Sequence, residues 1–385
     1  MNILYPIIDG EVTGGNIICL RFIEEAKKRG WNIFVNSPTR GDFIDMIRDR
    51  CARVYHIDTT RSFRLDRSVE LVKMIKREKV DLVHCHTPLP DTNLSRIAAA
   101  LAGVPIVTHA HLRQALNSNP LVRTYQLMLD WCTSRLFCDR IIAVSEAVRT
   151  DFTRQGSPQN KIDVVHNGID TKNNRQEKNS DAIRKEFNLT AGQKLVGEVA
   201  RLCETKGQHV LIRAACSVIR EFPDAVFMIV GEDIEKDGKY KEELEELAKE
   251  LGVEENFIFT GYRSDVPDLM NAFDVFILPS FAEGLPVTIL EAMAAQKPVI
   301  TTPAGGNTEI VIHNETGLIF PFGDSDQLAI AILHLLKNPQ EARLMGQKGY
   351  ERVQAHFSLD QMVGKTFQIY DEIMQKQNLN GLIAR

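Results

Sequence analysis

The feature that most constrains the fold is a regular alternation of short apolar, β-rich runs with longer amphipathic segments. Such a βαβα series is typical of parallel sheets that carry helices on their faces. In the first half of the chain it predicts strands over Asn2–Ile8, Trp31–Asn36, Arg53–Ile57, Asp81–Cys85, Ile106–His109, Arg140–Val144 and Lys161–His166. Helices are predicted over Asn16–Arg29, which Gly30 would end as a left-handed residue, and over Arg67–Lys79.

The alternation is interrupted by Thr171–Asp181, eleven polar residues without an apolar anchor, which we interpret as a linker. It then restarts, with strands predicted over Lys194–Val199, Ala225–Val230, Asn256–Thr260, Asp274–Leu278 and Pro298–Thr302, and helices over Gln208–Glu221 and Lys239–Gly252. A restart argues for two similar domains, as does a length of 385 residues. We predict an α/β fold of two Rossmann-like domains, residues 1–170 and 171–358. A terminal segment, 359–385, follows, and its Leu359–Gln375 part has helical periodicity.

Composition and sequence patterns indicate the cellular compartment of the protein. No apolar run approaches the ~18 residues of a membrane span, and no basic flank or cleavage site marks a signal peptide. Seven cysteines without CxxC spacing indicate reduced thiols, so we expect a cytoplasmic protein.

Charge is unevenly distributed along the chain. Residues 1–170 hold 23 Lys and Arg against 19 Asp and Glu, a balance of +4, while the remainder holds 23 against 32, a balance of −9. The basic half, with its Arg61–Lys79 stretch, favours peripheral contact with an anionic inner membrane face, although ordinary scatter explains it equally well. No basic run with interleaved aromatic residues indicates a nucleic-acid partner.

The strongest motif runs from Ser280 to Met293, where a predicted strand leads through a loop into a helix that opens at or near Pro286. Free N–H groups around Gly284–Thr288 would form an anion site at the positive end of the helix dipole. Glu283 lies before the helix and Glu291 inside it, too far apart to share one proton. Carboxylates at this separation suit two parts of one hydroxyl-rich ligand, although glutamates near a helix start also occur as a plain dipole effect.

A second motif, Glu198–Gly207, follows the first strand of the second domain, at the carboxyl edge where α/β sheets bind ligands. Arg201 and Lys206 supply two cations that suit a diphosphate, although surface cations are common. In the first domain, Gly14 and Gly15 open a helix after the first strand, and a simple tight turn is the equal alternative to a phosphate contact.

Two further groups invite a metal interpretation. His84, His86, His109 and His111 cluster at two strand ends, but no carboxylate or cysteine completes a ligand set, so local hydrogen bonding is favoured over a metal site. Asp324-Ser325-Asp326 has the DxD pattern of metal-binding sugar transferases, but it precedes an amphipathic segment, and we predict a helix N-cap. We therefore expect neither a metal nor another cofactor.

Taken together, these residues resemble the family 4 retaining glycosyltransferases almost from end to end. The most specific parts are the E-x7-E motif from Glu283 to Glu291, in FAEGLPVTILEAMA, then PVITTPAGGNTEIV and ETGLIF. Weaker matches are ARLCETKG, VHNGID, AVSEAV and the terminal HFSLDQMVGKTFQIYDEI. The resemblance implies the GT-B fold, in which two Rossmann-like domains face each other across a cleft and the last helix crosses back onto the first domain.

The resemblance also implies roles for individual residues, which we adopt as expectations. Glu291 would bind the donor ribose, Glu283 the transferred sugar, and Arg201 with Lys206 the diphosphate. Backbone groups of Gly284, Leu285 and Pro286 would hold phosphate and sugar, and those of Tyr262 and Arg263 would meet the base. In the first domain, Gly14 and Gly15 would approach the donor and His111 would be the active-site histidine, with His109 as its alternative. Glu198 is a departure from the apolar or glycine-rich run that many relatives have, with an expected effect on packing behind Arg201.

The implied activity is metal-independent transfer of a hexose-type sugar, with retention of configuration, from a nucleoside diphosphate to a sugar or lipid-linked hydroxyl acceptor in glycan, glycolipid or exopolysaccharide biosynthesis. UDP is the expected carrier. Two alternatives are a nucleotide-sugar epimerase of the same fold and a non-catalytic protein that binds sugar nucleotides. A nicotinamide dehydrogenase is disfavoured because no GxGxxG follows any strand.

Overall fold

A computed structural model describes residues 1–59, 65–87, 89–112, 119–171, 180–190, 192–234 and 236–383. Most of the predicted linker Thr171–Asp181 and the first residues of the basic stretch Arg61–Lys79 lie outside this described part of the chain. The described residues form two compact units, one of residues 1–167 together with the C-terminal residues from 360 onward, the other of residues 168–359.

The first unit is built on a parallel sheet. Its described strands are β1 (Asn2–Pro6), β2 (Asn32–Asn36), β3 (Arg53–Tyr55), β4 (Leu82–Cys85), β5 (Ile106–Ala110), β6 (Arg140–Ala143) and β7 (Ile162–Val164). They lie in the order β3-β2-β1-β4-β5-β6-β7. Each predicted strand is present, and most are one to three residues shorter than predicted because the apolar pattern continues into the adjoining turns.

The second unit repeats the plan with a parallel sheet of the described strands β8 (Leu195–Val199), β9 (Val226–Val230), β10 (Phe257–Gly261), β11 (Val275–Leu278), β12 (Val299–Thr301) and β13 (Gly317–Ile319), in the order β10-β9-β8-β11-β12-β13. Strand β13 was not predicted, since the three residues Gly-Leu-Ile are too short a run to show alternation. The prediction of an α/β fold with two Rossmann-like sheets is confirmed.

Helices connect the strands and cover the sheets. In the first unit they are α1 (Gly14–Lys28), α2 (Asp42–Ile47), α3 (Leu65–Arg77), α4 (Leu89–Ala102), α5 (Pro120–Leu136) and α6 (Glu146–Arg154). The later helices are α7 (Ser180–Glu186), α8 (Gln208–Glu221), α9 (Lys239–Glu250), α10 (Val266–Ala272), α11 (Val287–Ala294), α12 (Asn307–Ile310), α13 (Ser325–Lys337), α14 (Pro339–His356) and α15 (Leu359–Ile383). Helix α15 is eight residues longer than predicted, and Gly30 has the left-handed conformation expected after α1.

The terminal helix α15 completes the core of the first unit. Tyr370 is fully buried, and its hydroxyl contacts both His84 Nδ1 and, at 3.5 Å, the hydroxyl of Tyr5 in β1. Phe367 packs on Trp31, with 4.9 Å between ring centroids, and the guanidinium of Arg29 lies over the Phe367 ring, 4.4 Å from its centroid. The last helix therefore belongs to the same hydrophobic core as the first strand.

Three further predictions concern a helix cap, the state of the cysteines and membrane-spanning segments. Asp324 is the N-cap of α13 and accepts a hydrogen bond from the Gln327 amide at 2.9 Å, which confirms the capping interpretation of the Asp-Ser-Asp sequence. The seven cysteines are all free thiols. Within the described residues, no helix combines the length and the apolar character that crossing a bilayer requires.

A buried ion pair joins α4 to α5. Arg96 is fully buried, and its Nη1 lies 2.7 Å from Asp130 Oδ1, while its Nε donates to Thr108 at 3.2 Å. Desolvated charges of this kind are tolerated only when paired, because an isolated buried charge is very costly. Polar contacts therefore help to hold the inner face of α5, whereas Leu121, Met128, Trp131 and Leu136 of the same helix are exposed.

We predict that Asp130→Ala lowers the free energy of unfolding of the first unit by about 3–5 kcal/mol, because it leaves the Arg96 guanidinium buried without a counter-charge. Urea unfolding followed by circular dichroism measures the change. Glu146→Ala is the matched control, since Glu146 forms an exposed pair with Arg149, and such pairs contribute about 0–1 kcal/mol. Equal losses in the two variants would contradict the assignment of Arg96–Asp130 as a stabilising contact.

Candidate functional site

The order of strands locates the ligand-binding edge of each sheet. In the first sheet the chain moves outward from β1 and then crosses back to place β4 on the other side of β1, and β8 and β11 repeat this arrangement in the second sheet. At such a switch point the loops leave in opposite directions and open a crevice at the carboxyl ends of the strands. The segments that follow β1, β4, β8 and β11 hold most of the residues singled out from the sequence.

The loop after β8 carries Arg201 and Lys206 and is fixed by backbone contacts. The Ala200 amide donates to Val230 O at 3.0 Å and the Leu202 amide to Glu232 O at 2.9 Å. Gly207 has φ +77°, and a Cβ there would lie 2.3 Å from Pro279 O. Only glycine fits this position, so the loop after β8 packs directly on the backbone of the loop after β11.

The loop after β11 carries Glu283 and leads into α11, with Pro286 as the N-cap and Val287 as the first helical residue. It is supported by the segment after β12. A Cβ on Gly305 would lie 1.7 Å from Glu283 O, and the Gly306 amide donates to Gly284 O at 2.8 Å. The backbone that presents Glu283 is therefore set by two neighbouring loops.

These contacts bring Glu283 and Lys206 together. Lys206 Nζ lies 2.6 Å from Glu283 Oε1, with side-chain exposures of 18% and 8%. The sequence had assigned the two residues to different parts of a ligand, and the structure places their charged groups in direct contact. Arg201, on the same loop as Lys206, is exposed.

Glu198, which we expected to affect the packing behind Arg201, lies near this pair. It is fully buried, and its Oε1 accepts a hydrogen bond from Gln208 Nε2 at 2.9 Å. The same Gln208 nitrogen donates to Arg201 O at 3.1 Å, so Glu198 and Arg201 are joined through one amide. Burial raises the pKa of Glu198, and the nearby charge of Lys206 opposes the increase.

The other residues that we expected to bind the donor occupy three positions. Glu291 lies half-buried in α11, and Leu285, between Glu283 and the helix, is buried. Tyr262 follows β10 with 46% of its surface exposed. The side chain of Arg263 is engaged elsewhere, since it forms paired contacts with Asp265 at 2.8 and 2.7 Å and with Glu186 at 2.5 and 2.9 Å, which raise its pKa. The Arg263 guanidinium is therefore paired with two carboxylates.

In the first unit, the glycine turn after β1 lies beside His111. Thr13 caps α1 by accepting from the Asn16 amide at 3.3 Å, and Gly14 and Gly15 form the first turn. A Cβ on Gly15 would lie 3.5 Å from His111 Cδ2, while one on Gly14 would meet nothing within 4 Å. The structure therefore brings together the helix start and the histidine that the sequence had singled out separately.

Two histidines at the end of β4 and β5, His84 and His109, form one stack with the two that follow these strands, His86 and His111. His86 Nδ1 lies 2.9 Å from His111 Nε2, and His84 Nε2 lies 3.1 Å from His109 Nδ1. The rings of His109 and His111 are nearly parallel, with centroids 4.5 Å apart. Burial lowers the pKa of each member, to about 4 for His111, so the imidazoles are neutral at physiological pH.

The stack has the spacing of a metal site, a point the sequence argument had discounted. One nitrogen from each of His84, His86 and His109 lies within 4.8 Å of the others, and all three side chains are buried. Both nitrogens of His84 already have hydrogen-bond partners, Tyr370 and His109. Local hydrogen bonding, which the sequence argument favoured, therefore accounts for much of this cluster.

Sequence reasoning missed the residues that support the Glu283 loop. Thr301 Oγ1 donates to Leu278 O at 2.9 Å, Thr302 Oγ1 donates to Ser280 O, and Asn307 Nδ2 donates to Thr301 Oγ1 at 2.9 Å. The signal was present in the polar run TTPAGGN after a buried strand.

Comparison with known proteins covers nearly the whole chain. The family model described as Glycosyltransferase Family 4 matches residues 12–173, and the model described as Glycosyl transferases group 1 matches residues 179–352. A structure of Anabaena Alr3699/HepE in complex with UDP-glucose superposes with a TM-score of 0.86 and 25% identity, over 97% of this chain and 100% of that one.

Two curated relatives agree with this assignment. The UDP-Gal:alpha-D-GlcNAc-diphosphoundecaprenol alpha-1,3-galactosyltransferase of Escherichia coli is 29% identical over 80% of this chain and 79% of its own length. The putative glycosyltransferase EpsD of Bacillus subtilis is 27% identical over 92% of this chain and 93% of its own. With the two Rossmann-like units and the E-x7-E motif in place, the chain belongs to the family 4 glycosyltransferases, enzymes of the GT-B fold that use nucleotide sugars.

Proposed function

We propose that this glycosyltransferase moves a hexose-type sugar from UDP to a hydroxyl acceptor with retention of the anomeric configuration. The observation that carries the proposal is the contact between Lys206 and Glu283 at the switch point of the second sheet. An ammonium group has three donors, so Lys206 can keep Glu283 and also bind a diphosphate oxygen. Glu283 would then bind sugar hydroxyls on one side of the bond between the anomeric carbon and the phosphate oxygen. Lys206 would bind phosphate on the other side of that bond.

The remaining donor contacts follow from the same loops. Arg201 would share the diphosphate with Lys206, and the amides of Gly284, Leu285 and Pro286 would hold phosphate and sugar at the start of α11. Glu291, one and a half turns into that helix, would accept hydrogen bonds from the ribose hydroxyls. The backbone of Tyr262 and Arg263 would meet the base, since the Arg263 side chain is already paired with carboxylates.

Relatives support the choice of donor and of acceptor class. Anabaena HepE is solved with UDP and with UDP-glucose, and the Escherichia coli relative uses UDP-Gal and a sugar diphosphoundecaprenol acceptor. We therefore propose a UDP-sugar donor and a sugar or lipid-linked acceptor, in glycan, glycolipid or exopolysaccharide biosynthesis.

The proposed mechanism is front-face attack. The acceptor hydroxyl approaches on the side from which the diphosphate departs, and the departing phosphate oxygen takes its proton. Arg201, Lys206 and the α11 dipole would stabilise the charge that develops on the leaving group, and the other residues would align the reactants. Glu283 suits alignment better than nucleophilic attack, because the Lys206 ammonium at 2.6 Å reduces the availability of its lone pairs.

The first unit would contribute His111 and the Gly14-Gly15 turn. These groups lie side by side, with a neutral imidazole next to the Gly14 and Gly15 amides, for which the described residues provide no intrahelical acceptor. Such a surface suits oxygen atoms of a sugar or a phosphate.

Helix α5 supports peripheral membrane contact, because its polarity is reversed relative to an ordinary surface helix. Its inner face holds the buried Asp130, whereas Leu121, Met128, Trp131 and Leu136 are 82, 59, 47 and 71% exposed. Its cations Arg123 and Arg135 are exposed, and its single acid is paired with Arg96. An outward face of leucine, methionine, tryptophan and arginine suits an anionic bilayer surface.

Incubation of the purified protein with a panel of nucleotide sugars tests the proposed reaction. Transfer, or slow donor hydrolysis with release of the nucleoside diphosphate, is the expected result. Formation of an epimeric nucleotide sugar would indicate an epimerase, and binding without turnover would indicate a non-catalytic protein. The anomeric configuration of the product, read by NMR coupling constants, decides between retention and inversion.

The two motif glutamates should have separable effects. Glu291→Ala should weaken both UDP and the full donor, whereas Glu283→Ala should weaken the donor and leave UDP affinity unchanged or slightly raised, since Lys206 loses its counter-charge. Each lost charge-assisted hydrogen bond is worth about 1.5–3 kcal/mol, or roughly 10- to 150-fold in affinity. Calorimetry on both variants with both ligands measures this. Equal weakening of UDP by both substitutions would show that the roles are wrongly assigned.

Transfer should not require a divalent metal, because Arg201, Lys206 and the α11 dipole already supply positive charge for the diphosphate. We expect the initial rate to be unchanged, within about twofold, by excess EDTA. Activity that is lost in EDTA and returns with Mg²⁺ or Mn²⁺ would overturn this proposal.

Membrane contact through α5 predicts co-sedimentation with phosphatidylglycerol vesicles at low salt. The double variant Leu121→Asp, Leu136→Asp should reduce vesicle affinity at least tenfold, since burying each leucine contributes about 1.5–3 kcal/mol. The matched control is Ile330→Asp, Leu344→Asp, which alters two comparably exposed residues of the second unit. Equal binding by the two double variants would exclude α5 as the contact surface.

A further inference from the structure

The hydrogen bond between His86 and His111 raises the question of which nitrogen carries the proton. His86 is 2% exposed and follows β4, and its Nδ1 lies 2.9 Å from His111 Nε2. Both rings are neutral, so each carries one N–H. The pair therefore has two arrangements, with His86 as donor or with His111 as donor.

The surroundings of His86 separate the two arrangements. Its other nitrogen, Nε2, is buried and has no hydrogen-bond partner among the described residues. The ring lies among aromatic neighbours, with Tyr5 and Phe22 centroids at 6.0 and 5.8 Å. If His111 donated, the proton of neutral His86 would be on Nε2, leaving a buried N–H without an acceptor, and orphaned buried donors are rarer than under-satisfied acceptors. With His86 Nδ1–H as donor, only a lone pair is left unpaired.

The same arrangement satisfies the neighbouring pair. His109 Nε2 is also buried without a partner, and its Nδ1 lies 3.1 Å from His84 Nε2. A proton on His109 Nδ1 is donated to His84, whose own Nδ1–H then donates to the Tyr370 hydroxyl. Placing the proton on Nδ1 throughout gives a consistent network in which none of His84, His86 and His109 buries an orphaned N–H.

We propose that His86 is a positioning residue that holds His111 in the Nδ1–H tautomer, so that His111 offers a hydrogen-bond donor to an oxygen of the reacting sugar. The inference rests on the proposed function, which places His111 among the groups that contact the reactants. His111 Nδ1 makes no hydrogen bond to the described residues, so it is the nitrogen left for a ligand. The adjacent amides at the start of α1 are donors too, so the surface matches a ligand oxygen with free lone pairs.

Three substitutions of His86 test the positioning role. The amide of asparagine reaches the place of the imidazole Nδ1 and can donate to His111, glutamine extends toward the Nε2 position, and phenylalanine keeps the ring without a nitrogen. We expect His86→Phe and His86→Gln to lower kcat about tenfold or more with little change in donor KM, and His86→Asn to restore kcat to within about threefold of the wild type.

His84→Phe is the matched control. His84 is buried in the same stack but bonds to Tyr370 and His109, with no hydrogen bond to His111. This variant should melt at a lower temperature and keep kcat within about twofold. An equal loss of kcat in His84→Phe and His86→Phe would reduce the role of His86 to packing and overturn the proposal.

Nitrogen-15 NMR of histidine-labelled protein reads the tautomer without reference to activity. The wild type should show the proton of His111 on Nδ1, and His86→Phe should show a mixture of tautomers. A wild-type His111 protonated on Nε2 would overturn the inference whatever the reaction is. His111→Ala distinguishes the proposed role of His111 in the reaction from the proposed role of His86 in positioning it. If His111→Ala remains fully active, the role of His111 is wrong. If it is inactive while His86→Phe is fully active, only the role of His86 is wrong.

Discussion

Direct packing of one loop backbone on another is the constraint from which the second unit's site follows. Gly207 lies against Pro279 O and Gly305 against Glu283 O, at separations that leave no room for a Cβ. Because these glycines let the loops approach, the end of β8 and the end of β11 come close enough for Lys206 to reach Glu283. The ion pair therefore depends on the absence of a side chain at Gly207 and Gly305. A methyl group at either position would push the loops apart and separate the two charges.

The polar groups of the two units are stabilised in different ways. The second places unlike charges in contact and buries Glu198 behind them, with Gln208 linking that carboxyl to the Arg201 backbone. The first uses imidazoles that burial keeps neutral, so they can stack at 4.5 Å without repulsion. A neutral stack costs far less to desolvate than an array of charges, which explains how His84, His86 and His109 fit beside Phe22 in a hydrophobic core.

The sequence predicted every described strand except β13 and about half of the described helices, because periodicity and glycine placement are local signals. It also identified Glu283, Lys206 and His111 separately. It did not show that Lys206 contacts Glu283, or that His86 contacts His111, because each pair joins two loops that are distant in the chain. Arg263 is a further example, since the sequence places it beside the expected base site, and only the fold shows its guanidinium paired with Glu186 and Asp265. Capping by Asp324 was predictable because all its partners lie within one helical turn.

The docking of α15 on the first unit has a consequence for synthesis of the protein. Tyr370 and Phe367 fill the core beside β1 and β4, yet the whole of the second unit, residues 168–359, is translated before them. At about 5–20 residues per second, the ribosome needs roughly 10 to 40 s for that intervening segment. Throughout that interval the surface around Trp31, Phe22 and His84 lacks its cover, so the nascent first unit stays incomplete. The domain that begins the chain is therefore the last to finish folding.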